Sequence, residues 1–360
     1  MLKQELKKIF LKRYFLLFVI GVLVIEFAMC IAQSEDYFNS DYDKEAYEKY
    51  VAAYSGELTQ AKAELMALNF EYINNPDEWK SKCNELLRKG KITNEEYHLI
   101  EELFQESKLG SLGVSVFQED YEYFSSKTGR EIIHAKAWSF IFGSEKIDFF
   151  LVLLCIVFAV SAYVSENETN ITLMKNTAQK GGKNLYRKDL LLGVSFITLF
   201  SFVIDAMRLC GGIAQFSVND FTSSLESLSL FENTSYNISL IEGYILTVTI
   251  KAVGYGAFMA LCFVLGNVFD SAVTVVMGGV LSILLPQYVF KAPIIYCFSP
   301  ISLMLSNGFL FGDSVLSGED YGGTVVLSVS SGQWALPISL ITATLIFVVA
   351  FFYVKKRGER

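Results

Sequence analysis

The chain is poor in the groups that most catalytic and nucleic-acid-binding proteins rely on. Its 360 residues include only two histidines, His98 and His134, and neither shares a local pattern with cysteine. No metal site is expected from them. The six cysteines (Cys30, Cys83, Cys155, Cys210, Cys262, Cys297) show no CxxC spacing and mostly lie in apolar runs. A free thiol there behaves as a small hydrophobe, so no disulfide framework follows. A Gly-x-x-x-x-Gly-Lys-Ser/Thr phosphate loop is missing, so this chain is not expected to hydrolyse ATP. No Ser/His/Asp constellation, His-Glu-x-x-His or Gly-x-Ser-x-Gly stretch occurs either, and the chain does not read as an enzyme in its own right. No basic face suggests a nucleic-acid partner.

Charge is also scarce, at 19% of residues, and it is segregated. Residues Gln33–Lys146 hold 22 acidic and 13 basic side chains, while the whole chain has a net charge of −8. The acidity therefore belongs to one block, and the remainder is close to neutral.

What is abundant is apolar: 52% of residues are hydrophobic, with 30 Phe and only 5 Pro. A bilayer core takes about 20 mostly apolar residues as a helix. Six runs qualify: Tyr14–Ala32, Ile147–Val164, Leu190–Met207, Gly243–Leu265, Ser271–Phe290 and Ala335–Val354. The first is too long for a cleaved signal peptide, and Met29-Cys30-Ile31-Ala32 is a poor cleavage site. Lys and Arg cluster in residues 1–13, in the loop 165–189 and in the tail 355–360, whereas 209–240 and 292–333 contain none. By the positive-inside rule both termini face the cytosol and Gln33–Lys146 lies outside.

The expected fold is thus an all-α polytopic membrane protein with six transmembrane helices, placed in a bacterial plasma membrane. Residues 1–13 would form an interfacial helix, with Leu2, Leu6, Ile9 and Phe10 facing lipid and lysines near anionic headgroups. Residues 14–32 form span one, 33–146 a mainly helical extracytoplasmic domain and 147–164 span two. A cytosolic loop (165–189), spans three to six with outer loops (190–354) and a basic tail (355–360) complete the layout. Within the outer domain, Lys44–Tyr72 and Thr93–Lys108 read as helical. Asn74-Asn75-Pro76-Asp77 and Lys89-Gly90 act as punctuation, and Thr93 to Glu96 resembles a capping box.

Ionisable residues inside apolar spans are costly and are functional candidates by default. Glu26, Asp205 and Lys251 are of this kind. At 1.5 Å per residue, Glu26 lies about 9 Å and Lys251 about 12 Å below the outer edge, with Asp205 nearer the rim. A Lys stem can reach outward, so a Glu26–Lys251 pair lining an outward path is one reading, and a packing ion pair or a snorkelling lysine is the other. Gly254, Gly256, Ala257, Gly278 and Gly279 allow close helix approach. Pro286 and the stretch from Ser299-Pro300 to Gly312 suggest a broken or re-entrant helix.

The loop Ser165–Asp189 is the most informative stretch. Glu166 and Glu168 follow the membrane exit, Ile171–Lys175 can form a helical turn with Ile171 and Met174 on one face, and Gly181-Gly182 precede a basic strip. This resembles the first cytosolic loop of the membrane-spanning subunits of ABC exporters of the type-2 permease class. There a Glu-x-Glu-Thr-Gly-Thr stretch precedes an apolar turn, an Arg-rich bend and a Lys. Glu166, Glu168 and Thr169 match by position, and Lys183, Leu185 and Tyr186 match the exit. Asn170 stands where Gly is usual, Gly182 where Arg is usual, and Lys188-Asp189 are displaced by one.

The resemblance implies that Ile171, Leu173, Met174 and Lys175 belong to an ATPase-coupling helix. It also implies that the tight turn Gly266–Asp270, with Asn267, Phe269 and Asp270, is a second, smaller contact; a plain hairpin is the other reading of that turn. The implied partners are two copies of a cytosolic ABC ATPase, which would hold ATP and Mg, and a second permease chain, identical or homologous. Membrane lipids complete the set. A non-transporting sensor or envelope-assembly protein and an ion-coupled carrier using Glu26, Asp205 and Lys251 are the competing readings. The absence of an inverted repeat weighs against the carrier.

Overall fold

Long apolar runs meet few breakers here, and in a bilayer every backbone polar group must be bonded within its own segment, so helices dominate. The computed structural model describes residues 13–39, 47, 51, 54–57, 59, 62–63, 66, 68, 75–94, 97–98, 101, 123, 130–142, 147–164, 182–216, 218–232, 234–269, 271–285, 298–305 and 332–357. In chain order these form α1 (Arg13–Asn39), β1 (Gly56–Glu57), α2 (Pro76–Arg88), β2 (Glu131–Ile132) and α3 (Ala135–Phe142). Then come α4 (Phe149–Ala159), which continues into a π-helical turn (Val160–Val164), α5 (Gly182–Phe216), α6 (Leu240–Phe269), α7 (Ala272–Leu284), α8 (Pro300–Met304) and α9 (Gly332–Arg357).

Among the described residues, four helices are long and apolar enough to cross a membrane: Phe15–Ala32, Tyr186–Phe216, Leu240–Phe269 and Leu336–Tyr353. They correspond to the first, third, fourth and sixth expected spans. The second and fifth appear as shorter apolar helices, Phe149–Val164 and Ala272–Leu284. At 1.5 Å per residue these described stretches rise about 24 and 20 Å, and residues 165–181 and 286–297, which follow them, lie outside the described residues. The third helix is longer than its apolar run, because no proline interrupts Gly182–Phe216. Residues 1–12, where an interfacial helix was expected, lie outside the described residues.

The chain divides into two units, one of Met1–Met29, Ser144–Met207 and Ile245–Arg360, the other of Cys30–Gly143 and Arg208–Tyr244. In the first unit α6 is the central element. Within its apolar span 72% of residues are buried, against 28% for α1, 39% for α5 and 17% for α9. The lightly buried helices present Leu17, Val24, Phe27, Leu345 and Phe352 outward, as lipid-facing helices do. Aromatic packing joins α1, α4 and α5. Phe158 stacks on Phe196 at 5.4 Å and meets Phe15 edge-on at 5.6 Å.

Helix α8 is five residues long, wholly buried and capped by Ser299, whose hydroxyl accepts from the Ile301 N–H. It packs on α6 at Gly254, where an added Cβ would lie 2.8 Å from both Leu303 Cβ and the Met304 backbone nitrogen. Only glycine permits that approach. The Ser302 hydroxyl then bonds Ser339 of α9 at 2.8 Å.

The second unit has a core of its own, with Tyr54, Trp79, Cys83 and Trp138 fully buried. Burial, then the nearby Glu101 carboxylate, pushes the Cys83 thiol up to about 12, so it is held as an inert thiol. Helix α2 starts at Pro76 and stops at Arg88, as the punctuation anticipated. Gly90 adopts φ +65° and the Lys91 N–H returns to the Leu86 carbonyl at 3.1 Å. The architecture is mostly rather than wholly helical, because β1 and β2 pair antiparallel, Gly56 opposite Ile132. That pair needs Gly56 at φ +92°, open to glycine. Of the helical stretches expected here, Lys44–Tyr72 and Thr93–Lys108, only isolated positions are described.

Gly254→Ala and Gly21→Ala test this packing. The first should lower stability by about 1–3 kcal/mol through overpacking. The second, with nothing within 4 Å of its added Cβ, should be neutral or slightly stabilising. Thermal unfolding of both variants in detergent reads the difference.

Candidate functional site

Helix α6 carries a buried residue once per turn at Thr247, Lys251, Tyr255, Met259, Phe263 and Asn267. Four-residue spacing puts them on one face, and that face fastens the neighbouring helices. Lys251 Nζ donates to Asp205 Oδ1 of α5 at 2.6 Å, with both side chains buried. One turn before Asp205, Ser201 is fully buried and its hydroxyl has no hydrogen-bond partner among the described residues. The Tyr255 hydroxyl accepts from the Asp148 backbone N–H at 2.9 Å. Asp148 in turn caps α4, its carboxylate accepting from the Leu151 N–H at 3.1 Å.

Toward the other end of α6 the ties are again tyrosines. Tyr163, from the π-helical turn, meets Phe263 edge-on at 4.8 Å, and its hydroxyl donates to the Asp189 carbonyl of α5 at 3.0 Å. The Tyr353 hydroxyl of α9 donates to the Asn267 carbonyl at 2.9 Å, while Asn267 Nδ2 donates to the Phe263 carbonyl at 2.8 Å. Arg187 of α5 places its guanidinium 4.6 Å over the Phe351 ring of α9.

The structure pairs Lys251 with Asp205; the sequence left open whether it pairs with Glu26. The apolar run around Asp205 ends at Met207, which by itself places Asp205 near the rim. Helix α5 continues to Phe216, so Asp205 stands eleven residues before its end, and Lys251 stands eleven after the start of α6. Two antiparallel helices thus bring the charges level. Glu26 is itself buried on α1.

Of the expected ATPase-contacting residues, Glu166, Glu168, Thr169, Ile171, Leu173, Met174 and Lys175 lie outside the described residues, as does Asp270. Asn267 is buried and bonded in the last turn of α6, and Phe269 is exposed. Sequence reasoning missed Asp148, Tyr163, Tyr255 and Tyr353, although the four-residue stripe on α6 was there to be read.

The second unit holds a separate polar cluster. The Arg130 guanidinium lies 4.1 Å over the Tyr123 ring and donates to the carbonyls of Tyr123 (2.8 Å) and Glu232 (3.3 Å). The Tyr123 hydroxyl donates to the Glu226 carbonyl at 2.6 Å. Burial drives the Tyr123 phenol up, and Arg130 opposes it. The His134 N–H donates to Asp220 Oδ2 at 3.1 Å, and burial raises that carboxyl above its usual range. Among the described residues no group of three His, Cys, Asp or Glu is placed to hold a metal ion.

No family model, curated protein or solved structure matches the chain.

Removing one partner of a buried ion pair leaves an uncompensated charge, at a cost of about 3–5 kcal/mol. Asp205→Asn and Lys251→Met should each destabilise by that order, and the double variant should recover most of the loss. A double-mutant cycle in detergent checks this. Simple additivity would show that the two do not act as a pair.

Proposed function

We propose that the chain is the permease subunit of an ATP-driven ABC exporter of the type-2 permease class. The observation that carries the reading is the Glu166-x-Glu168-Thr169 stretch and its apolar turn, set between two apolar helices, Phe149–Val164 and Gly182–Phe216. The fastened bundle around α6 supports it, because a push on the loop needs stiff elements to travel through. ATP and Mg belong to two partner ATPases on the cytosolic side of a bacterial plasma membrane, with a second permease chain beside the first. The Ile171–Lys175 turn and the Gly266–Asp270 turn are the two contacts. Coupling requires that the loop bind two states of the ATPase differently.

The acidic Gln33–Lys146 block, placed outside, favours a cationic or amphiphilic cargo such as an antimicrobial peptide. Steering of that kind weakens as salt is added. A second reading, a sensor or envelope-assembly protein, draws on the separate buried core of the Cys30–Gly143 and Arg208–Tyr244 unit.

Co-expression with the ABC ATPase encoded beside it, purified through a tag on this chain, tests the proposal. Wild type should yield a stable complex that hydrolyses ATP, and the variant with Ile171→Asp and Met174→Asp should lose it. A wild-type chain that binds no ATPase would favour the sensor.

A further inference from the structure

Segment 165–181 joins two helices, and a single side chain ties those helices to each other. Tyr163 belongs to the π-helical turn Val160–Val164 that continues the first helix. Its hydroxyl donates to the carbonyl of Asp189, the eighth residue of α5, at 3.0 Å. π-helical turns inside α-helices are uncommon and concentrate at functional points.

Both neighbouring helices make room for this ring. A Cβ on Gly193 of α5 would overlap the Tyr163 hydroxyl, and it would also lie 3.1 Å from Met259 Cε and 3.2 Å from Phe158 Cε1. A Cβ on Gly266 of α6 would lie 3.3 Å from Tyr163 Cβ. On its third side the ring meets Phe263 of α6 edge-on. Asp189 sits within α5, where helical geometry gives its carbonyl the Gly193 N–H as partner. The tyrosine bond is therefore additional to the helix's own and is not required to satisfy the backbone.

We propose that Tyr163 is a positioning residue that ties the π-helical turn, α5 and the inner end of α6 at one point, so that a displacement arriving through the loop between the π-helical turn and α5 is delivered to α5 and α6 together. This rests on the reading of the loop as the ATPase contact. Without the hydroxyl, α5 is free to move independently of the π-helical turn, and the push is not passed on.

Tyr163→Phe removes the hydroxyl and keeps the ring; Gly193→Ala keeps the hydroxyl and crowds it. Two measurements on the full chain in lipid nanodiscs separate the pin from the coupling. Hydrogen exchange in the peptide covering 182–193 should speed up roughly fivefold in both variants, the worth of one hydrogen bond. In complex with the ATPase, both variants should keep the wild-type yield and KM for ATP and lose most of the permease-dependent kcat. Unchanged exchange overturns the pin whatever the ATPase does. Faster exchange with wild-type kcat overturns the transmission, and so does a loss of yield and thermal stability in proportion to kcat, the mark of a merely structural role. If wild type binds no ATPase, the permease reading itself fails and the transmission falls with it, an outcome told apart because the exchange result then stands alone.

Discussion

The Lys251–Asp205 pair is the contact on which the first unit turns. Apolar helices in lipid gain little from burying apolar surface against each other, since lipid tails offer the same environment. Their arrangement has to be specified by close backbone approach and by polar bonds. Helix α6 supplies both. Its glycine at 254 admits α8, and its one-per-turn face reaches α5 through Lys251, α4 through Tyr255 and α9 through Asn267. The ion pair is the costliest of these ties to break, because either charge left alone in that setting is severely penalised.

Tyrosine recurs at these ties for a physical reason. Its ring packs as a large apolar body while its hydroxyl bonds a backbone group on another helix. Tyr163, Tyr255 and Tyr353 each do this, and Tyr163 and Tyr353 donate to backbone carbonyls.

Much of the fold was legible in the sequence. Hydrophobic runs located the apolar cores of the long helices, though α5 outruns its apolar run by eight residues at one end and nine at the other, and the turn signals at Asn75-Pro76 and Lys89-Gly90 fall at the two ends of α2, because both rest on local chemistry. The partner of Lys251 was not legible. It depends on where α5 stops, and polar residues beyond Met207 remain helical when packing favours them, which no local rule records. The β1–β2 pair joins residues 76 positions apart, Gly56 with Ile132, and two-residue strands leave no periodic trace. The Tyr163 socket was invisible for a related reason: Gly193 and Gly266 read as ordinary small residues until a third helix is placed between them.

The account stands or falls on whether this chain works as half of a paired permease with ATPases attached. Native mass spectrometry of the complex released from membranes measures that directly. The account predicts an assembly of two permease chains, this one of 40.4 kDa with an identical or homologous copy, and two ATPase subunits. A single chain carrying no ATPase, under conditions that keep other membrane complexes intact, would contradict it.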